Sequence, residues 1–222
     1  MNSFYNDSFQ SVSAMNEDFA AMDPTILEGY NIKFNREVKV TFLLENGEED
    51  EVYIVRFRIF EKSQNSDLDE VRLEMAIDNN IGLFLECNVS ASDFEKLKTE
   101  NRLRVEFKDF SRSVQELLER SVKKSQECFI TFKQGEDFGG ELTFLQKLKL
   151  RKVNVFALHF SLSNEDFVRK QVQYRFNKIK LDLRLKDDEI NTQIQRISEK
   201  NPSLAKSLQN SVTAALNKKM HK

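Results

Sequence analysis

Residues 36–60 read REVKVTFLLENGEEDEVYIVRFRIF, and the order of apolar and polar side chains in this stretch decides the fold class. Val38 and Val40 are separated from their apolar neighbours by single charged or polar residues, which is the period of a half-buried strand. The same alternation returns in the second half of the stretch. Asn46 and Gly47 stand between the two runs, and Asn-Gly is typical of a tight hairpin turn. The stretch therefore predicts a β-hairpin.

Further segments along the chain repeat this alternation and predict strands at residues 71–77, 83–89, 103–107, 128–132, 142–144 and 156–162. Two segments have helical spacing instead. Ser90 offers an N-cap to a short helix over 90–98, and an amphipathic stripe predicts a longer helix over 110–122. Because strands and helices do not alternate regularly, the pattern predicts an α+β head, an antiparallel β-sandwich or barrel with a helical pair.

A long helix is predicted after the last strand, since Asn164 offers an N-cap and Glu165 starts an acidic first turn. Apolar residues then recur with the spacing of a coiled-coil seam, at Val172, Phe176, Ile179, Leu183, Ile190 and Ile197. Pro202 should stop the helix. The remaining seam positions toward the end are polar, at Lys186, Gln193 and Lys200. The pattern therefore predicts a short coiled-coil dimer.

These patterns divide the chain into parts of different character. Residues 1–32 contain acids but no Lys or Arg and show no sustained period, which predicts a flexible acidic tail. Residues 33–163 form the predicted head, and residues 164–201 form the predicted stalk helix. Residues 202–222 are predicted to be a basic C-terminal tail.

Composition narrows the class of protein. The 222 residues carry 34 basic and 36 acidic side chains, and the formal net charge of −2 does not favour binding to nucleic acid. Neither a run of about 18 apolar residues nor a signal-peptide pattern occurs, so we expect neither membrane spanning nor secretion. Cys87 and Cys128 are too few for a disulfide framework, which favours a reducing, cytoplasmic compartment.

Residues suited to catalysis are scarce. The chain has two histidines, His159 in a predicted strand and His221 in the basic tail, and shows no known metal, phosphate-binding or nucleophile motif. Cys87 or Cys128 could pair with His159 as nucleophile and base, but no motif marks either thiol as activated. We therefore expect a protein that is not an enzyme and that uses no cofactor, metal or small-molecule substrate.

A basic stretch at residues 147–152 reads KLKLRK and lies near a predicted hairpin tip. Leu148, Leu150 and Val153 stand among its charges. Apolar residues exposed at a tip suggest a docking contact, although the same residues could continue the flanking strands into the core. The cations of this stretch and of the long helix could meet an acidic partner, such as a tubulin tail or nucleic acid, or form a solvated surface.

Residues 71–121 carry a pattern of motifs in a fixed order. The stretch reads VRLEMAIDNNIGLFLECNVSASDFEKLKTENRLRVEFKDFSRSVQELLERS. It contains Ser-x-x-Asp-Phe-x-x-Leu at 90–97, Leu-Arg-Val-Glu-Phe at 103–107 and Phe-x-x-x-Val-x-x-Leu-Leu at 110–118. This order resembles the spindle assembly abnormal protein 6 family, which builds the hub of the centriolar cartwheel. Ser111 departs from the family, which often has Pro at that position.

The resemblance implies a sandwich head, a parallel coiled-coil dimer and a second, head-to-head contact. In that contact an apolar residue at a hairpin tip enters a pocket of the neighbouring head. On this chain the head contact maps to Leu148, Leu150, Val153 and Val155, with Val153 or Val155 expected at the tip.

The implied function is structural. The protein is expected to assemble with itself into the cartwheel of the centriole or basal body, or into a related microtubule-based structure of the cytoplasm and cytoskeleton. Other centriolar or microtubule-associated proteins are expected partners.

Two alternatives stay open at this point. Scaffolds of DNA end joining share the architecture of a sandwich head on a coiled coil, and a salt-dependent shift of duplex DNA would favour them. The seam also fades by about Lys200, earlier than in typical members of the resembled family. The chain is therefore expected to be either a fragment of a longer protein or the family's short-stalked protist paralogue.

Overall fold

The alternating segments form strands that join into one closed β-barrel in the computed structural model. The model describes residues 19–43, 50–65, 67–77, 80–135, 137–204, 206–207 and 210. The strands are β1 (Asn31–Leu43), β2 (Glu51–Gln64), β3 (Asp67–Ile77), β4 (Asn80–Ser90), β5 (Cys128–Gln134), β6 (Gly140–Lys147) and β7 (Lys152–Leu162). Their order around the barrel is β1-β2-β3-β4-β7-β6-β5. The predicted turn at Asn46-Gly47 lies outside the described residues.

The barrel closes through a parallel pair, which corrects the prediction of an antiparallel sheet. β1 and β5 run in the same direction, with Val40 opposite Ile130 and Phe42 opposite Phe132. The other neighbouring strands are antiparallel. A parallel pair requires a crossover connection. The helices between β4 and β5 provide one, so the chain returns to the barrel beside β1 instead of beside β4.

The predicted helical pair is confirmed as part of this crossover. It consists of α2 (Ala91–Glu100) and α3 (Phe110–Lys123), and α1 (Pro24–Leu27) precedes the barrel. Ser90 caps α2 as expected, because its Oγ accepts a hydrogen bond from the amide of Asp93 at 3.2 Å. The same hydroxyl donates to Asp93 Oδ2 at 2.6 Å, so the cap and the first turn of α2 hold each other in place.

The predicted strand over 103–107 is wrong, because no strand pairs with this segment. Its side chains nevertheless alternate as in a strand. Leu103, Val105 and Phe107 are half-buried against the core, while the residues between them are exposed. The segment is an extended connection that ends in a 3₁₀ turn at Phe107–Asp109. The alternation therefore predicted correctly which side chains are buried, but it did not show whether the backbone pairs with a neighbouring strand.

The barrel interior is filled by aliphatic and phenylalanine side chains from the inward-facing positions of the strands. Phe57, Phe132 and Phe160 are each at most 1% exposed. The helical pair adds Phe94 and Phe110 to the same core, with ring centroids 5.2 Å apart. Offset aromatic contacts of this kind contribute beyond simple area burial. The apolar positions of the alternating segments thus form the barrel core, and α2 and α3 cover it.

The outer face of β3 is buried as well, since the side chains at 71–77 are buried on both faces. It is covered by residues 23–30, which we call the strap. Asp23, Thr25 and Tyr30 of the strap are buried. The prediction of a flexible tail over 1–32 therefore does not hold for the strap. Residues 1–18 lie outside the described part of the chain.

The chain divides into two compact units. One is Ala21–Val172, which extends the predicted head of 33–163 at both ends. In the other, the structure describes Phe19, Ala20 and most of 173–210, and the ring of Phe19 stacks on that of Tyr174 with centroids 5.2 Å apart.

The long helix is α4 (Glu165–Lys200), which starts and stops where the sequence predicted. Asn164 Oδ1 accepts from the amide of Asp166 at 2.9 Å and so caps the helix. After Lys200, Pro202 begins a new helical turn. Among the described residues, no helix combines the length and apolar character needed to cross a membrane.

The close contact at Gly140 gives a test of the β5–β6 hairpin. A Cβ at Gly140 would lie 2.6 Å from Phe132 Cζ and closer still to the Lys133 carbonyl oxygen, whereas a Cβ at Gly82 would meet only Asn80 Oδ1, at 3.9 Å. We expect Gly140→Ala to lower the free energy of unfolding by about 1–3 kcal/mol in urea titrations. The matched Gly82→Ala should change it much less, and equal losses would contradict this geometry.

Candidate self-association surfaces

The first candidate surface is the turn between β6 and β7, residues 148–151, which we call the hairpin tip. The turn is closed by the amide of Leu148, which donates to the carbonyl of Arg151 at 2.8 Å. Leu150 at the tip is 98% exposed and Leu148 is 46% exposed. An apolar side chain that is almost fully exposed contributes nothing to the core of its own head. Leu148 and Leu150 therefore do not continue the flanking strands into the core, and the docking contact stays a prediction.

Val153 and Val155 lie in strand β7 and not at the tip. Val153 is half-buried opposite Gln146. Val155 falls at a register shift between β6 and β7, where neither neighbouring strand pairs with it. Such bulges redirect a side chain away from the regular alternation. Of the four residues expected in the head contact, the structure places two at the tip and two in the strand behind it.

The second candidate surface is a cavity of about 230 Å³ beside β7. Val155 lines it, so the strand that follows the hairpin tip also forms one wall of this cavity. Its lining is largely apolar, with Ser113, Glu116 and Arg120 as the polar members. The apolar lining residues are Leu103, Val105, Phe110, Val114, Leu117, Val155 and Phe156.

The wall opposite β7 is the extended segment that was predicted to be a strand. Two hydrogen bonds fix the turn that joins α2 to this segment. Asn101 Oδ1 accepts from the amide of Ala157 in β7 at 3.0 Å. The amide of Leu103 donates to the Lys98 carbonyl at 2.9 Å. Leu103, Val105 and Leu117 are half-buried, and all three line the cavity.

Charges are distributed differently on the two head surfaces. The tip and its flanks carry Lys147, Lys149, Arg151 and Lys152, with no acid between them. Lys152 Nζ lies 5.0 Å from the ring centroid of Phe129 and is thereby directed back onto the barrel. Within the cavity lining one acid and one base occur. The cavity therefore suits an apolar side chain. The cations around the tip should add a salt-dependent contribution to the affinity of a contact made by the tip.

The third candidate surface is a row of apolar residues on α4. Phe176, Ile179 and Leu183 are each more than half exposed, and Ile190 is 41% exposed. Val172 and Ile197 are half-buried. Lys180 Nζ lies 4.4 Å from the Phe176 ring centroid. Large apolar side chains repeated at seam spacing and left exposed in one chain are the pattern of a helix that pairs with another helix.

Of the residues considered for catalysis, Cys87 lies in β4, Cys128 in β5 and His159 in β7. Cys87 is buried, and burial raises the pKa of its thiol to about 12, so the thiol stays protonated at neutral pH. Cys128 is half-buried and His159 is exposed on β7, opposite Glu141. No group of metal-ligating side chains occurs within the described residues. His221 lies outside them.

The cavity is the feature that sequence reasoning missed. The available signal was the extended segment at 103–107, whose alternation was assigned to a strand. A strand there would have filled the space beside α3, whereas an unpaired segment leaves it open. Only the order of strands in the barrel, which depends on contacts distant in sequence, distinguishes the two outcomes.

Comparison with known families agrees with the fold and the motifs. Residues 32–160 match the family model described as the centriolar protein SAS N-terminal domain, which covers more than half of the chain. The chain belongs to this family. The match includes the whole barrel from β1 nearly to the end of β7, the helical pair, the hairpin tip and the cavity.

Solved structures of family members have a similar fold. An N-terminal fragment of Leishmania SAS-6 with parts of its coiled coil has a TM-score of 0.67 at 15% identity, covering 79% of this chain and 98% of that chain. A Drosophila melanogaster Sas-6 fragment dimerised via its coiled coil has a TM-score of 0.57 at 15% identity, covering 82% and 94%. An N-terminal coiled-coil dimer of C. elegans SAS-6 has a TM-score of 0.54 at 14% identity, covering 72% and 98%.

A search of curated protein sequences gives no match to this chain.

The exposure of the tip can be tested by identical substitutions at two leucines. Leu142 is 0% exposed and Leu150 is 98% exposed. We expect Leu142→Ala to lower the free energy of unfolding by about 2–5 kcal/mol. Leu150→Ala should change it by no more than about 0.5 kcal/mol in the same denaturant titration at low protein concentration. A comparable loss for both variants would show that Leu150 packs in its own head.

Proposed function

We propose that this chain is a structural subunit of the centriolar cartwheel, or of a related microtubule-based structure, and that it assembles with itself through two different contacts. One observation carries the proposal: a single chain presents an exposed leucine tip and an apolar cavity on its barrel, and an exposed seam on α4. Membership of the family supports the centriolar role. The related C. elegans and Drosophila structures, which are coiled-coil dimers, support pairing through α4.

The head contact joins the hairpin tip of one copy to the cavity of another. Leu150 supplies an apolar side chain without a partner, and the cavity supplies apolar walls around a space of about 230 Å³. The tip directly precedes β7, and Val155 and Phe156 of β7 line the cavity, so one strand links tip and cavity on each head. Two copies related by a twofold axis would therefore bury both tips in one contact. Leu148 flanks the tip, and Val155 forms part of the receiving wall.

The stalk contact is a parallel coiled coil along α4. Its apolar seam consists of Val172, Phe176, Ile179, Leu183, Ile190 and Ile197. Lys186, Gln193 and Lys200 interrupt the seam and reduce the apolar area that pairing buries. The helix ends at Lys200, so few apolar layers are available. A modest dimer affinity follows from this length.

Two different twofold contacts on one chain generate a ring if their geometry closes and a filament if it does not. Each contact can be weak, because a copy already held by one contact meets the next at a high effective concentration. The expected partner is therefore the protein itself, with other centriolar or microtubule-associated proteins as further partners. The expected location is the centriole or basal body in the cytoplasm.

Substitution of the tip should remove the larger assemblies but retain the dimer. Leu150→Glu places a charge where the apolar cavity would have to desolvate it. We expect equilibrium sedimentation to show species larger than the dimer for the wild type and only monomer and dimer for Leu150→Glu. Leu150→Met keeps an apolar tip and should retain the larger species. A strictly monomeric wild type at high concentration would contradict the assembly function.

Substitution of the seam should remove the stalk dimer. Ile179→Glu buries a charge in each chain at the seam, so we expect the dimer dissociation constant to rise by about 100-fold or more. Asn177→Glu adds the same charge on the solvated side of α4 and serves as the matched control. The dimer should persist in this control. If both variants dimerise as the wild type does, α4 is not the dimer seam.

A further inference from the structure

The outer face of the barrel carries a buried cluster of charged side chains from neighbouring strands. Arg58 of β2 and Arg72 and Glu74 of β3 are at most 6% exposed. Arg58 Nη2 and Arg72 Nε both contact the Glu74 carboxylate, the latter at 3.1 Å. These three residues carry two cations and one carboxylate, and Glu86 of β4 adds a second carboxylate, 2.5 Å from Arg72 Nη2. An isolated buried ion would cost several kcal/mol, so these pairings stabilise the cluster. We call these residues the polar socket of the barrel.

The strap enters this socket with two side chains. Asp23 Oδ2 accepts from Arg58 Nη1, and Thr25 Oγ1 donates to Glu74 Oε1 at 2.7 Å. Asp23 is 4% exposed and Thr25 is 0% exposed. Asp23 also caps α1 by accepting from the amide of Thr25 at 3.0 Å. The strap is therefore held by buried hydrogen bonds to charged groups, which are stronger than neutral ones.

The first two turns of α4 enter the socket from the other side. Gln171 is 1% exposed, and its Nε2 donates to Asp23 Oδ1 and to Thr25 Oγ1, both at 3.0 Å. Phe167, one turn earlier, packs its ring 4.4 Å from the Arg72 guanidinium carbon. The polar contacts of Gln171 are thus made with the strap and not with the barrel. Residues 165–172 thus contact the barrel directly through Phe167, which also meets Phe84 with ring centroids 5.5 Å apart, and contact the strap through Gln171.

The strap and Gln171 both lie outside the residues that match the family, which are 32–160. They come from the two ends of the head, 148 residues apart for Asp23 and Gln171. If the strap were removed, Arg58 and Glu74 would lose buried partners and Gln171 would lose both of its acceptors. Unpaired buried polar groups cost free energy, so the three parts stabilise each other.

We propose that the strap is a clamp that fixes the first two turns of α4 on the barrel through Asp23, Thr25 and Gln171. Under the proposed function, on which this part rests, the clamp has a consequence for assembly. The contact along α4 and the contact between heads are joined through these two turns. With residues 165–172 clamped, the start of α4 has the same position on the barrel in every copy, which favours uniform curvature in a ring or filament.

Hydrogen exchange measured by mass spectrometry on the full chain tests the clamp directly. Gln171→Met keeps the length of the side chain but removes both hydrogen bonds to the strap. We expect amide exchange in 165–172 to become about tenfold faster or more, with no change in β5 and β6. Thr25→Val should have the same effect from the strap side. Unchanged exchange in 165–172 in both variants would overturn the clamp.

Two further variants keep this test decisive. Gln173→Met makes the same substitution two residues later, at an exposed position that bonds only Asn177, and should leave exchange in 165–172 unchanged. If amide exchange in the Gln171→Met variant rises throughout the head because the head unfolds, Gln171→Asn replaces it as the test variant. Asn is one methylene shorter, so it stays polar yet cannot reach both strap acceptors. Equal acceleration in Gln171 and Gln173 variants would overturn the clamp.

Electron microscopy of the assembled protein tests the consequence for geometry. Sedimentation of Gln171→Met should still show the dimer and the larger species, but its assemblies should show a wider spread of curvature than those of the wild type. An unchanged spread together with faster exchange would overturn the role of the clamp in assembly. A wild type that forms no assemblies would refute the proposed function instead, and the exchange result would still decide whether the clamp exists.

Discussion

Burial of β3 on both faces is the constraint on which the rest of the structure depends. Its inward side chains, Val71, Leu73 and Met75, complete the barrel core. Its outward side chains, Arg72 and Glu74, pair in the polar socket. An antiparallel strand usually has one face in solvent. Here the second face is covered by the strap and the start of α4, so a single strand connects the core to the segment from which the long helix continues.

Much of the fold could be predicted because local rules agreed with the tertiary structure. The alternation that begins at Val38 marked strands, since inward and outward positions differ in burial along most of the barrel. Ser90 and Asn164 marked helix starts because each caps its own helix, and Pro202 marked the end of α4. These signals involve contacts within a few residues, which a sequence displays directly.

The remainder depended on contacts distant in sequence. Arg58 and Glu74 have the positions of solvent-facing strand residues, and only their partners reveal that they are buried. The strap has the composition of a tail, although Asp23-Pro24 is a recognisable helix start. Val105 lies in a segment that alternates like a strand but has no neighbour to pair with. In each case the sequence showed the right local pattern and could not show what lies opposite.

The assembly account combines surfaces that differ in strength and chemistry. The tip is apolar within a basic surround, the cavity is apolar, and the seam on α4 is apolar but interrupted. Because all three surfaces belong to one chain, two weak twofold contacts with different axes can build an extended or closed structure, whereas either contact alone stops at a dimer.

Disulfide trapping would test the two-contact account most directly. One variant carries Leu150→Cys and Leu117→Cys, for the tip and the cavity, and a second carries Ile190→Cys, which should pair with itself across a parallel seam. A third carries all three substitutions. The account predicts that mild oxidation gives covalent dimers for each of the first two variants and a ladder of larger species for the third on a denaturing gel. Covalent dimers at most in the third variant would contradict the claim that one chain uses two different self-association contacts.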